Sequence, residues 1–307
     1  MKKVDNTTVF PAKIQHYTLF EVLSDINEKS AYHFAIYTNR SGKKFFCKLW
    51  TGEKKDQDFT WISNEIGVYQ FFDSTYKTHQ KEIKKNFPDI KIPKMYVSSI
   101  EDSLAYFLTD FIEGKPLEGL SDDKKAVVFQ RVIQYFHFMS SLAVSQQKTL
   151  RVFGATRLFL LFHYYIIKVA LSSKIHYKSL LQILWKFYVG FFELIRTNHL
   201  SFVHRDLGFA DNIILQGKTI AIIDFQLSVL SNPLMEIANI TIALWNEKKL
   251  RTKFLNSRYV SSLLDDEGKK KQMNAFLAHA FLVSTALQLN LKKFNGTYMI
   301  KRFSPIV

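Results

Sequence analysis

The segment Phe202-Val-His-Arg-Asp-Leu-Gly-Phe-Ala-Asp-Asn-Ile-Ile-Leu215, followed by Thr219-Ile-Ala-Ile-Ile-Asp-Phe-Gln226, leaves this chain few ways to fold. Two short apolar runs, Asn212-Ile-Ile-Leu and Thr219-Ile-Ala-Ile-Ile, flank a Gln216-Gly217-Lys218 turn, which is the pattern of a β-hairpin. A hairpin brings Asn212, where the first strand begins, beside Asp224, where the second ends. Asp206 precedes them on a tight loop. Oxygen-bearing side chains so gathered suit Mg²⁺, a hard cation. An Asp on such a loop suits the orientation or deprotonation of an acceptor hydroxyl. The set reads as a phosphoryl-transfer site. Singly, Asp206 is an ordinary turn former, Asn212 an ordinary cap and His204 an ordinary core histidine. The ordered set carries the reading, because a motif counts when its context agrees.

His204-Arg205-Asp206 resembles the catalytic-loop His-x-Asp of the protein-kinase-like superfamily. Asp224-Phe225 resembles its metal-binding Asp-Phe, with Gln226 where protein kinases carry Gly. The similarity is to the small-molecule branch: aminoglycoside phosphotransferases, choline-type kinases and lipopolysaccharide-core kinases. It implies an α+β fold of two lobes, with a β-rich, nucleotide-binding N-lobe over residues 1–112. A mainly helical C-lobe over 113–307 then holds the catalytic loop and the acceptor site. The resemblance also implies ATP and Mg²⁺ as cofactors, Asp206 as the catalytic residue, and Asn212 and Asp224 as metal ligands. In the family the Asn follows the catalytic Asp by five positions, whereas here Asp211 is fifth and Asn212 sixth. The ligand-then-strand form favours Asn212, with Asp211 as the alternative.

Upstream, Tyr17-Thr-Leu-Phe-Glu-Val-Leu, Ala31-Tyr-His-Phe-Ala-Ile-Tyr and Lys44-Phe-Phe-Cys-Lys-Leu-Trp are strand-like runs between polar turns, a three-strand meander. The third resembles the strand that carries the family's phosphate-contacting Lys, which implies that role for Lys48. A lysine between apolar strand neighbours needs a partner. Trp61 to Phe72 has a helical apolar repeat with Glu65 beside the buried stripe. Glu65 fits the Glu that pairs with that Lys. The turn Ser24–Ser30 contains no glycine, so the glycine-rich phosphate cover of protein kinases is absent. Two further strands begin near Lys91 and Ser103. The second resembles the inter-lobe hinge, which implies Asp110, Phe111 and Ile112 as the backbone platform for the adenine edge.

From Ser121 the pattern becomes helical, with an acidic first turn and a face of Val127, Val128, Arg131, Val132, Tyr135, Phe136, Met139 and Leu142. Ser231-Asn-Pro-Leu-Met-Glu-Ile-Ala resembles the family's Asp-Pro-x-x-Asp-Leu-Ala, with Asn232 and Glu236 in place of the acids. Glu236 is read as ordering the catalytic loop. Only eleven residues separate Asp224 from Glu236, too few for a long activation segment, and no Ala-Pro-Glu follows. Protein substrates are disfavoured on that ground.

A chain of 307 residues, 47% hydrophobic, can bury a large core and is near the size at which one core divides into two. The lone Cys47 cannot form an intramolecular disulfide, and the polar N-terminus carries no signal region, which fits a reducing cytoplasm. Leu158 to Leu171 is the one span candidate, but 14 residues containing His163 and Lys168 fall short of the roughly 20 that a crossing helix needs. Between 148 and 200 lie eight Lys or Arg against one acid, Glu193, interleaved with Phe and Tyr. This is a solvated basic face or a docking surface for an anionic membrane. A net charge of +15 favours anionic partners and disfavours a polycationic aminoglycoside acceptor. No nucleic-acid-binding module is present in the sequence.

The sequence therefore predicts an ATP- and Mg²⁺-dependent phosphotransferase acting on a hydroxyl of a sugar or saccharide-containing acceptor, anionic or lipid-linked, with lipopolysaccharide-core kinases as the sharpest analogy. It would work in the cytoplasm, with peripheral contact at the inner membrane face. The alternative is a catalytically weak kinase-like module that binds an anionic partner or membrane.

Overall fold

The structure, a computed structural model, describes residues 10–23, 31–142, 150–172, 177–197, 199–208 and 210–290. The turn Ser24–Ser30, the basic residues Lys148 and Lys174, and the basic C-terminal tail lie outside them. The fold is α+β. The chain divides into two compact units, each assembled from separated segments.

The first unit comprises Met1–Glu118, Ser145–Leu150 and Asp211–Ser228. Its main sheet holds β1 (Lys13–Ile14), β2 (Tyr17–Leu23), β3 (Tyr32–Thr38) and β4 (Lys44–Thr51). After the helix α1 (Gln57–Asn86) and the short β5 (Ile90–Lys91), β6 (Met95–Ile100) and β7 (Leu104–Asp110) complete it. The order is β1-β2-β3-β4-β7-β6, antiparallel throughout. The three-strand meander is β2 to β4, and the two further strands are β6 and β7. Alternation along β4 sends Phe45, Cys47 and Leu49 into an apolar core with Ala35, Tyr37 and Leu108. Lys48 faces the other side, toward α1. Beyond β8 (Lys115–Pro116), the hairpin of the sequence motif joins this unit rather than the 113–307 segment that contains it in sequence.

The second unit begins with α2 (Asp122–Leu142), α3 (Ala155–Ser172), α4 (Tyr177–Leu194) and the short strand β9 (Ser201–Val203). In the first unit, β10 (Ile213–Gln216) and β11 (Thr219–Ile222) pair in antiparallel register, and β5 and β8 flank them. The second unit resumes with β12 (Val229–Ser231), which pairs with β9, and ends in α5 (Leu234–Ala243), α6 (Lys248–Leu255), α7 (Arg258–Leu263) and α8 (Glu267–Asn290). In α2 the sequence face needs one correction. Val127 is exposed, and Phe129 and Ile133 are buried instead, because 3.6 residues per turn carry Val127 away from the side that holds Val128 and Val132. α3 and α4 both lay their inner faces on α8. Gly190 permits that approach, since a Cβ there would meet the Lys271 carbonyl oxygen at 2.0 Å.

Candidate active site

The candidate site residues fall into two groups, one in each unit. In the first unit, the Lys48 Nζ donates to Glu65 Oε2 at 2.8 Å, Asp224 Oδ1 at 3.1 Å and Gln226 Oε1 at 3.2 Å. All three ammonium protons are therefore directed. Lys48 is 5% exposed and Glu65 2%. Burial pushes the lysine pKa down, but Glu65 and Asp224 more than offset it, so the group is held cationic. Burial raises the Glu65 pKa against the opposing pull of Lys48. The face of Tyr32 lies 4.8 Å from the ammonium.

Asp224 sits at φ +60°, a left-handed conformation uncommon outside glycine, and such residues cluster at functional sites. Two anchors hold it there. Glu65 Oε1 accepts the Phe225 amide at 3.1 Å, and Asn64 Nδ2 donates to the carbonyls of Gln226 at 3.0 Å and Ser228 at 2.9 Å. Phe225 is buried between Tyr69 and Phe72. Neither Asn64 nor Gln226 was singled out in the sequence as a site residue. The available signal was an amide beside Glu65 on an otherwise apolar helical stripe, and a Gln where protein kinases carry Gly.

The β10–β11 register pairs Ile213 with Ile222, and the Ile223 amide donates to the Asn212 carbonyl at 3.0 Å. Asn212 and Asp224 thus meet at the open end of the hairpin. Asn212 is buried and its neighbour Asp211 exposed, both on a 3₁₀ turn over Ala210–Asn212. The hinge residues leave β7 in sequence order. Asp110 accepts from Lys43 Nζ at 2.7 Å and Tyr96 Oη at 3.0 Å. Burial pushes its pKa up, but these bonds and the Lys94 amide outweigh it and hold it below the usual range. Phe111 and Ile112 run on outside any strand.

In the second unit, β9 delivers His204, Arg205 and Asp206. Ser140 of α2 accepts the Phe202 amide at 2.6 Å, and His204 is fully buried against Phe136. Arg205 has φ +74°. Glu236, in the first turn of α5, accepts the amides of His204 and Arg205 and so fixes the backbone that presents Asp206. Burial pushes the Glu236 pKa up to about 7. Gly208 lets the loop lie on α5, since a Cβ there would meet Ala243 Cβ at 2.1 Å.

A family model described as the phosphotransferase enzyme family matches residues 85–259, more than half of the chain. The chain belongs to that family. The enzyme class and the small-molecule kinase-like branch implied by the motifs therefore hold. No curated protein matches the chain. Among solved structures, this phosphotransferase resembles an aminoglycoside phosphotransferase APH(4)-Ia crystallised with ADP and hygromycin B, at 14% identity and TM-score 0.59, with 92% of each chain covered. It also resembles the amicoumacin kinase hAmiN in complex with AMP-PNP, Ca²⁺ and Ami, at 14% identity and TM-score 0.59, with 95% of this chain and 87% of that one covered. Spectinomycin phosphotransferase APH(9)-Ia, with ADP and spectinomycin, gives 14% identity and TM-score 0.53 over 94% and 90%. At such identities the likeness is one of fold.

Proposed function

We propose that this phosphotransferase moves the γ-phosphoryl group of ATP, with Mg²⁺, to a hydroxyl of a sugar or saccharide-containing acceptor that is anionic or lipid-linked. The observation that carries this reading is the buried Lys48, shared between Glu65 and Asp224. Among the described residues no cluster of three or more His, Cys, Asp or Glu forms a metal cage. The donors at the hairpin end are the oxygens of Asn212 and Asp224, and a few protein oxygens of this kind suit a Mg²⁺ that arrives with phosphates and keeps its waters. Bound Mg²⁺ would neutralise charge on the β- and γ-phosphates. Lys48 clamps the α/β-phosphates, Glu65 aims it, and Asp110, Phe111 and Ile112 offer backbone to the adenine edge. Asp206 orients the acceptor hydroxyl and takes its proton at Oδ, and Glu236 positions that loop. The nucleotides held by the structural relatives, ADP and AMP-PNP, support a nucleotide as the phosphoryl donor.

Charge supports the acceptor class. A net +15 repels polycationic aminoglycosides and attracts acidic saccharides. The outer faces of α3 and α4 support a lipid-linked acceptor met at the cytoplasmic face of an anionic membrane, as for lipopolysaccharide-core kinases. Large apolar residues are exposed there among lysines, with Leu171 at 84% and Trp185 at 72%. The same face favours a second reading, a kinase-like module that binds membrane without catalysis. The two separate on transfer of label from γ-labelled ATP to core oligosaccharide, sugar phosphates and aminoglycosides. The enzyme labels an acidic saccharide, and Asp206→Asn abolishes labelling. The binding module labels nothing, and its cellular function survives Asp206→Asn but not charge reversal at Lys168, Lys178 and Lys186.

A further inference from the structure

We propose that Arg151, Arg157 and Arg205 form an oxyanion-binding subsite next to Asp206, which takes the phosphate or carboxylate of the acceptor; this deepens the phosphotransferase reading and rests on it. The buried ring of Phe153 gathers Arg157 and Arg205, and Arg151 precedes it by two positions in the same segment. The Arg205 guanidinium lies 5.0 Å from its centroid and that of Arg157 lies 5.5 Å away. A guanidinium attracted to an aromatic ring spends no N–H on a carboxylate, and its planar fork matches a phosphate or carboxylate.

The scaffold is fixed. The Phe153 amide donates to the Leu230 carbonyl at 2.8 Å, the Leu230 amide to the Arg151 carbonyl at 2.7 Å, and Ser231 Oγ to the Phe153 carbonyl at 2.9 Å. Arg205 is set by its left-handed backbone and by the Glu236 bond to its amide.

One buried acid, Glu236, faces the three cations. Among the described residues no carboxylate forms an ion pair with any of the three, and the buried Nε of Arg205 has no hydrogen-bond partner. Glu236, the one acid coupled to Arg205, spends an oxygen on backbone amides. Burial, then Arg157, pushes the Arg205 pKa down to about 10, and burial and Arg157 likewise lower that of Arg151. Arg157 also stands in the first turn of α3, where a cation opposes the helix dipole and no acid offsets it. Three cations held together against a single buried acid cost stability that a bound oxyanion returns, and charge-assisted guanidinium forks are the strong form of such a contact.

The test titrates inorganic phosphate, glucuronate and neutral glucose into the full-length protein at constant ionic strength, with thermal shift as the readout. Saturable stabilisation by phosphate or glucuronate but not glucose is expected, and the stronger of the two identifies a phosphorylated or a uronic-acid acceptor. The Arg151→Gln/Arg157→Gln variant should bind the oxyanion at least about tenfold more weakly, the loss of one charge-assisted hydrogen bond. Without added anion it should melt no lower than wild type, because repulsion is relieved. Repeating the titration in saturating Mg·AMP-PNP locates the anion, since stabilisation that persists there and disappears with the arginines belongs to this subsite. Stabilisation that is competed away by the nucleotide and survives in the arginine variant overturns the proposal, as does a failure of either oxyanion to act. Oxyanion binding without any Mg·AMP-PNP binding would count against the nucleotide reading while the subsite stands.

Discussion

Lys48 meets its three acceptors where water is nearly excluded, so the cost of breaking the set depends on which partner is removed. Lys48→Met leaves Glu65 buried and unpaired and should lower the unfolding free energy by about 3–5 kcal/mol. Lys48→Met/Glu65→Gln removes the stranded charge and keeps an oxygen for the Phe225 amide. Urea denaturation should therefore find the double variant more stable than the single one, and the reverse order would show that the pair is hydrated. Glu236 makes a pH prediction. Its folded pKa, about 7, lies above the ordinary 4.5, so the folded chain keeps a proton that the unfolded chain has released. That contribution is full below about pH 4.5 and is lost as pH rises through about 7, on the order of a few kcal/mol in total. Glu236→Gln should flatten this part of the stability curve, and an unchanged slope would place its origin elsewhere.

At the scale of elements, α3 and α4 are unusual for surface helices. Their inner faces, with Leu158, Phe162 and Val169 on one and Ile183 and Phe187 on the other, are buried, and Phe162 stacks on Phe187 at 3.6 Å. Their outer faces expose Leu160, Tyr164, Ile167 and Leu171, and Leu181, Trp185 and Phe192. Lys168, Lys178 and Lys186 lie among them. Among the described residues no helix is long and apolar enough to cross a membrane, whereas an apolar face edged by lysine suits the plane of a bilayer surface. Co-sedimentation with vesicles containing phosphatidylglycerol should weaken with salt and fall sharply in Leu171→Ser/Trp185→Ser. Equal binding to vesicles of phosphatidylcholine alone would remove the electrostatic part of this account.

At the scale of the whole molecule, the residues proposed to hold the nucleotide belong to the first unit and Asp206 to the second, although six positions of chain separate Asp206 from Asn212. Ligation is the direct probe. Mg·ATP at about a hundred times its dissociation constant should stabilise the chain by about 2.7 kcal/mol. Asp224→Ala should lose the Mg²⁺-dependent part of the thermal shift. Asp206→Asn should keep it, and its loss there would assign Asp206 to nucleotide binding instead of acceptor chemistry.

The strands, the long helices, the catalytic-loop motif and the pairing candidates Lys48 and Glu65 were legible in the sequence. The elements rest on local periodicity and turn chemistry, and the motif and the Lys48–Glu65 pairing on resemblance to the kinase-like family. The contacts that complete the site were not legible. Asn64 pins the Asp224 loop across 162 positions to the Gln226 carbonyl, Glu236 reaches back 32 to the His204 amide, and Phe153 gathers Arg157 and Arg205 on one ring. The sequence by itself determined which elements form and which residue types can do phosphoryl chemistry, because both follow from neighbours along the chain. Only the tertiary structure decided which distant side chains share a proton, a ring or a charge, because those depend on separations that chain order does not encode.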